Sequence, residues 1–235
     1  MGISKVVAIN SIVLMGITIS LRNRAPWPIL AALVHASALG LVVAVSAHPT
    51  FNFVNLFSKS RDGYFPWWSY GLHFWYMYLA RGYVCARRKQ TNEPVYTKVN
   101  EGLYVGGWPF QPSDVPPGSP AIIDCTCELP RSECVRGLPY LCIPTWDSRA
   151  PLVKDIQRAV VWARDVRQQE NRPVLVHCAF GHGRSVTVMC ALLVALGVVD
   201  NWKAAIELIK DCRPKVHVNQ IQQKVLEEWV KQYYK

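Results

Sequence analysis

Apolar positions follow two regimes along this chain. Through residue 80 they come as long runs. Val6 to Leu21 is short for a membrane span, whereas Trp27 to Ala47 is uncharged apart from His35 and long enough to cross a bilayer core. Tyr64 to Ala80 carries Trp67, Trp68, Trp75 and several tyrosines, an interfacial or spanning signature. From about residue 100 onward the apolar runs are short and alternate in period. Pro173-Val174-Leu175-Val176 predicts a buried strand and Val186 to Leu196 a helix. Leu152 to Gln168, Trp202 to Lys210 and Asn219 to Tyr234 predict amphipathic helices, the last two separated by Arg213-Pro214. The fold class is α/β: a central, mostly parallel sheet with helices on both faces, preceded by N-terminal transmembrane helices. The pattern divides the chain into a membrane region over 1–80 with two or three transmembrane helices, a basic linker over 81–100, and a globular domain over 101–235.

Charge refines that picture. The formal net charge is +10, and beside apolar spans a basic cluster such as Arg87-Arg88-Lys89 points to anionic lipid headgroups as partners, not to nucleic acid. Counting three spans puts Arg22, Arg24, Arg81, Arg87, Arg88 and Lys89 on one side and Lys5, Lys59 and Arg61 on the other, so the globular domain faces the cytosol. No small-x-small cleavage site follows the first run, which favours an uncleaved anchor over a signal peptide. Met1-Gly2-Ile3-Ser4-Lys5-Val6 lacks the hydroxyl residue that favours myristoylation. A cut near Arg81 is expected to separate the membrane region from a soluble, active fragment. Eight cysteines could suggest disulfides, but a cytosol-facing domain of this size needs none. Cys125, Cys127, Cys134 and Cys142 match zinc spacing poorly, so no metal and no cofactor is expected.

The chemistry concentrates in His177-Cys178-Ala179-Phe180-Gly181-His182-Gly183-Arg184-Ser185, between predicted strand and predicted helix. At a helix N-terminus the first backbone N–H groups lack partners, and the helix dipole adds positive potential, so a dianionic oxyanion can be held by amides alone. Gly181 and Gly183 permit the backbone geometry of an anion nest, and Arg184 can close the cradle with a planar bidentate fork. Ala179, Phe180, Gly181, His182, Gly183 and Arg184 are therefore the candidate phosphate-binding residues. Cys178 shares that field, which lowers a thiol's pKa into the range of about 3.5 to 7.5. A thiolate under a bound phosphoryl group is a nucleophile aimed at phosphorus. Ser185 is placed to donate to the sulfur as it leaves.

This His-Cys-x-x-Gly-x-x-Arg-Ser run resembles the signature loop of cysteine-dependent phosphatases of the dual-specificity branch. Leu103-Tyr104-Val105-Gly106-Gly107, Ile122 to Glu128 and Leu141-Cys142-Ile143-Pro144 are similar to the strands that open such domains, so the likeness covers roughly residues 95–235. It implies a catalytic set of Cys178, Arg184, Ser185 and His177, with a general acid on a separate preceding loop, which Asp147 fits. An alkoxide leaving group needs that proton, and the same carboxylate can later deprotonate the attacking water. Asp147 could instead cap the helix beginning near Pro151. Asp124, at a strand end, and Asp155, on a helix, are the competitors.

Two function classes follow. One is a membrane-anchored phosphomonoester hydrolase working through a cysteinyl-phosphate on a phospholipid headgroup or a phosphoprotein. The other is a noncatalytic phosphate-binding membrane scaffold. The loop offers no lysine and only His182 as an additional cation, which disfavours a highly charged inositol headgroup.

Overall fold

The computed structural model describes residues 3–234; the Met1 and Gly2 positions of the acylation argument lie outside the described residues. Helices α1 (Ile3–Leu21) and α2 (Trp27–Ser46) form an antiparallel hairpin, with Pro26 and Pro28 starting α2 where a missing N–H costs nothing. Small polar residues let the backbones approach: Ser37 Oγ donates to Ser11 O at 2.7 Å, and Ser4 Oγ donates to Ala44 O at 2.7 Å. The outward faces are apolar, with Ile12, Val13, Ile19, Ile29 and Val45 all exposed. Both helices are long and apolar enough to cross a membrane.

The third apolar segment behaves differently. Helix α3 (Trp67–Thr91) continues through Arg81, Arg87 and Arg88, where a linker was expected, because these residues are good helix formers and Asn92 is the first to turn left-handed. Two stretches of it pack with the globular domain: Met77 shares a buried cluster with Trp146 and Cys127, and Val84 shares another with Trp108, Leu129 and Ala179. Arg88 Nη2 then donates to Trp108 O at 2.6 Å. A helix held along this length by the domain does not cross a bilayer away from it, so the three-span charge count is corrected. The turn carrying Arg22 and Arg24 lies at the far end of the hairpin, about 30 Å from the globular domain at 1.5 Å per helical residue. Lys5, Arg61, Arg81, Arg87, Arg88 and Lys89 all belong to the domain's side.

The sheet contains β1 (Tyr96–Asn100), β2 (Leu103–Gly106), β3 (Ala121–Asp124), β4 (Tyr140–Cys142) and β5 (Val174–His177) in the order β1-β2-β5-β3-β4. Only the β1–β2 pair is antiparallel. Strand β1 falls within the segment read as linker; its side chains are mostly half-buried, so it lacks the apolar signal of the inner strands. Helices α4 (Val153–Glu170), α5 (Arg184–Ala195), α6 (Trp202–Cys212) and α7 (Gln220–Tyr233) join Val105, Ile123, Val174 and Val176 in one apolar core. The opposite sheet face, with Ile122, Leu175 and Tyr104, is covered by the β2–β3 and β3–β4 connections through Val115, Val135 and Leu138, and not by an α-helix. The mostly parallel sheet flanked by helices is present, with the helices on one face.

The α2–α3 connection is part of the globular core. Phe57 is fully buried between Phe65, Tyr76 and Trp146, and Trp146 Nε1 donates to Phe53 O at 3.1 Å. Arg149 Nε and Nη2 both donate to Ala47 O, at 3.1 and 2.9 Å, and Cys142 N donates to Arg61 O at 2.7 Å.

Candidate active site

β5 ends at His177, and the chain turns through 178–183 into α5. Gly181 adopts φ +81°, and a Cβ there would meet the Gly106 backbone, so both conformation and space require glycine. Gly183 needs no left-handed backbone; its φ is −132° and its small size lets Gln222 approach. Among the described residues, the N–H groups of Ala179, Phe180, His182 and Gly183 donate to no protein acceptor, leaving a nest of free donors ahead of α5.

Cys178 sits beneath that nest, 4% exposed. Its Sγ accepts from Gly181 N at 3.2 Å and from Ser185 Oγ at 3.4 Å. Burial pushes the thiol up, but the Arg184 guanidinium, the Ser185 hydroxyl and the loop N–H groups outweigh it and hold the pKa below the ordinary value.

Arg184 is buried and braced from one side. Nη1 donates to Thr145 O at 2.8 Å and to Glu128 Oε2 at 3.0 Å. Nη2 lies 2.9 Å from Glu128 Oε1 and 3.2 Å from Asp147 Oδ1, at ion-pair distance without hydrogen-bond alignment. Nε and Nη2 are buried donors with no hydrogen-bond partner among the described residues, so one edge of the fork is presented for a bidentate oxyanion. Burial opposes this charge, and the Glu128 and Asp147 carboxylates more than offset it, raising the Arg184 pKa well above its ordinary value.

Asp147 Oδ1 therefore reaches the cradle, with its side chain 45% exposed. Helix α4 starts at Leu152 with no side-chain cap, so Asp147 performs no capping there. Its loop is held by the start of α7, where Asn219 Nδ2 donates to Ser148 O at 3.1 Å and Gln222 Nε2 to Arg149 O at 3.0 Å. Asp155 pairs with Arg158 on α4, away from the loop. Asp124 is fully buried, ion-paired with Lys59 and accepting from Tyr140 Oη at 2.7 Å and Thr126 Oγ1 at 2.7 Å. Burial raises its pKa, but Lys59 and His177 bring it below the carboxylate range, which leaves it no proton to give near neutrality.

His177 stands behind the loop, not over it. Its Nε2 is 4.0 Å from Asp124 Oδ1, and burial lowers its pKa. His182 Nε2 is 2.8 Å from Glu93 Oε2, and burial lowers its pKa too, so it turns to Glu93 and not to the cradle. Arg213 braces the loop from outside, donating from Nη2 to Phe180 O at 2.9 Å and from Nε to Gly181 O at 3.1 Å. Glu128, Lys59 and Arg213 were not singled out in the sequence. All eight cysteines are free thiols, and among the described residues no three His, Cys, Asp or Glu side chains cluster as metal ligands.

A cysteine with a lowered pKa, a guanidinium with two donors outside any hydrogen bond among the described residues, a nest of N–H groups and a carboxylate at the rim converge on one cradle. Residues 119–232 match the family model described as dual specificity phosphatase, catalytic domain. This segment is similar to the catalytic domain of the dual-specificity phosphatases. Curated relatives agree: the chain is 28% identical over 147 residues to mouse (Mus musculus) dual specificity protein phosphatase 12, and 31% identical over 99 residues to Xenopus tropicalis dual specificity protein phosphatase 22. Those matches cover 58% and 41% of this chain, and 43% and 46% of the relatives, so the chain spans less than half the length of either. Among solved structures, the active form of Tk-PTP superposes with a TM-score of 0.53 at 27% identity, over 59% of this chain and 98% of that one. The matched segment runs from β3 to α7 and is similar to cysteine-based phosphatases, with α1, α2, α3, β1 and β2 outside the family match.

Proposed function

We propose that this chain is a membrane-anchored phosphomonoester hydrolase that works through a cysteinyl-phosphate on a phospholipid headgroup or a phosphoprotein. The observation that carries the reading is a Cys178 sulfur whose pKa is lowered, set beside the Nε/Nη2 edge of Arg184, where Nε has no hydrogen-bond partner among the described residues and Nη2 meets Glu128 and Asp147 at ion-pair distance. In this reading the phosphate dianion takes the loop N–H groups and that edge. The Cys178 sulfur attacks phosphorus as the ester P–O bond breaks, and Asp147 gives its proton to the leaving oxygen. Asp147 then takes a proton from water as the water oxygen attacks phosphorus, the P–S bond breaks, and Ser185 Oγ stabilises the departing thiolate. Glu128 acts through Arg184, fixing the plane of its fork; His177 is a positioning residue behind the loop.

Anchoring rests on the length and apolar composition of α1 and α2, and the greater number of Lys and Arg on the domain's side supports a cytosolic orientation in this reading. The test is hydrolysis of 4-methylumbelliferyl phosphate by the full chain in phospholipid nanodiscs, with acid-quench trapping of phosphate on Cys178. Stoichiometric label on wild-type protein and none on Cys178→Ala is expected. Phosphate binding without turnover or label would leave the noncatalytic scaffold.

A further inference from the structure

The cradle does not open to bulk water on all sides. A cleft of about 420 Å³ runs from Arg184 and Asp147 up between α1, α2 and α3, bounded by Leu14, Ala36, Trp75 and Leu79. Leu14 and Ala36 lie partway along the hairpin, roughly three helical turns from its domain end, or about 15 Å. One end of this space is the phosphate site, and the other is the flank of two helices whose outward faces are apolar and exposed. The charged groups Arg184, Asp147 and Glu128 gather at the mouth, while the wall along the hairpin is mostly apolar and includes Asn10 and Ser11.

We infer that the substrate is a lipid phosphomonoester whose acyl chain lies in this cleft while its phosphate occupies the Cys178–Arg184 cradle. The inference rests on the hydrolase reading above and names its substrate class. A phosphopeptide would bring main-chain amides and carbonyls against Leu14, Ala36 and Leu79, where they lose water without gaining hydrogen bonds. An acyl chain has no such groups, and it reaches the cleft from the bilayer without passing through water. The headgroup is small and carries one phosphate: His182 is engaged by Glu93, Arg88 by Asp114 and the Trp108 carbonyl, and Arg213 by loop carbonyls. No second cradle for a further phosphate is formed by these cations. Asn10, also on the cleft wall, offers donor and acceptor to an ester linkage.

The experiment uses the full chain in phosphatidylcholine nanodiscs with three substrates: dioleoyl phosphatidate, a phosphotyrosine peptide and 4-methylumbelliferyl phosphate. Ala36→Trp and Leu14→Trp each fill the cleft far from the sulfur. The ratio of kcat/KM for phosphatidate to that for the soluble ester is expected to fall at least ten-fold in both variants, the soluble ester correcting for any loss of folded enzyme. A ratio within two-fold of wild type in both variants overturns the cleft as the substrate path, and a phosphopeptide used better than phosphatidate overturns the lipid class. Should the soluble ester itself resist hydrolysis, the hydrolase reading fails, and the cleft is then judged by binding alone. A photoreactive acyl phosphatidate on Cys178→Ser should label peptides containing Leu14 and Ala36, in competition with unlabelled phosphatidate; labelling confined to the outward hairpin faces overturns the assignment.

Discussion

Lys59, in the connection between α2 and α3, ion-pairs with Asp124 at the end of β3, and both side chains are buried. Its Nζ also donates to Thr126 O at 2.8 Å. The pair ties the chain before α3 to the strand beside the catalytic loop. Lys59→Met leaves a buried carboxylate without its partner, a change that costs about 3–5 kcal/mol. The expected result is a large drop in Tm, mostly restored in Lys59→Met/Asp124→Leu; a single variant within 1 kcal/mol of wild type, a threshold set by ordinary exposed pairs of about 0–1 kcal/mol, would remove the pair from the core.

The same pair sets a pH window for stability. Burial raises the Asp124 pKa, but Lys59 and His177 more than offset it and leave it lowered, so its contribution is present above the unfolded value of about 3.9 and is lost as pH falls through the lower folded value. For Lys59, burial opposes the charge but Asp124 and its neighbours raise the pKa, so its contribution holds below about 10.4 and is lost as pH rises through the higher folded value. Chemical denaturation across pH should therefore show a plateau bounded by both limbs, and Lys59→Met/Asp124→Leu should flatten them.

Cys178→Ser should abolish turnover while keeping the fold, since an alcohol replaces a thiolate. Because the Cys178 pKa is lowered, the fall of kcat/KM on acidification that reports loss of the thiolate should lie at lower pH than for an ordinary thiol. Arg184→Lys keeps a charge but loses the two-pronged edge, and a loss of at least ten-fold in kcat/KM is expected from steady-state assay. Wild-type efficiency in that variant would take Arg184 out of phosphate binding.

Asp147→Ala should lower turnover on alkyl phosphates by about 10²–10⁴ and much less on nitrophenyl phosphate, whose leaving group needs little protonation. Asp124→Ala should instead lower Tm, without dependence on leaving group. The reverse pattern would assign the proton to Asp124.

A fragment beginning at Arg87 lacks Phe57, Lys59 and Met77, and so exposes Trp146 and leaves Asp124 unpaired. It is expected to aggregate or to be cut rapidly by protease, whereas a chain beginning near Ala47 keeps these contacts. A folded, fully active Arg87 fragment would show that the connection is dispensable.

The catalytic loop was legible because its chemistry is contiguous: Cys178, Gly181, Arg184 and Ser185 need only one turn to meet. Asp147 was reachable from the need for a proton donor on a neighbouring loop. Glu128 was visible only as the end of a strand-like run, and its hold on Arg184 depends on a tertiary fold that brings β3 beside α5. Lys59 was hidden by its setting, a lone cation between two apolar segments, where a lysine reads as a flank facing water. Aromatic content made α3 resemble a span. The positions of His73, Met77 and Val84, about one and then two turns apart, are the signal that one face of it meets protein.

The hairpin is joined to the domain at Arg149–Ala47, and α3, which follows it in the chain, is held at Arg88–Trp108, without a slack tether. With the hairpin in a bilayer, the sulfur sits at a fixed height above the lipid plane and cannot lift away to sample solution. Encounter with substrate then becomes a search in two dimensions. Velocity should follow the mole fraction of substrate among surrounding lipids, and diluting the suspension at constant membrane composition should leave it unchanged.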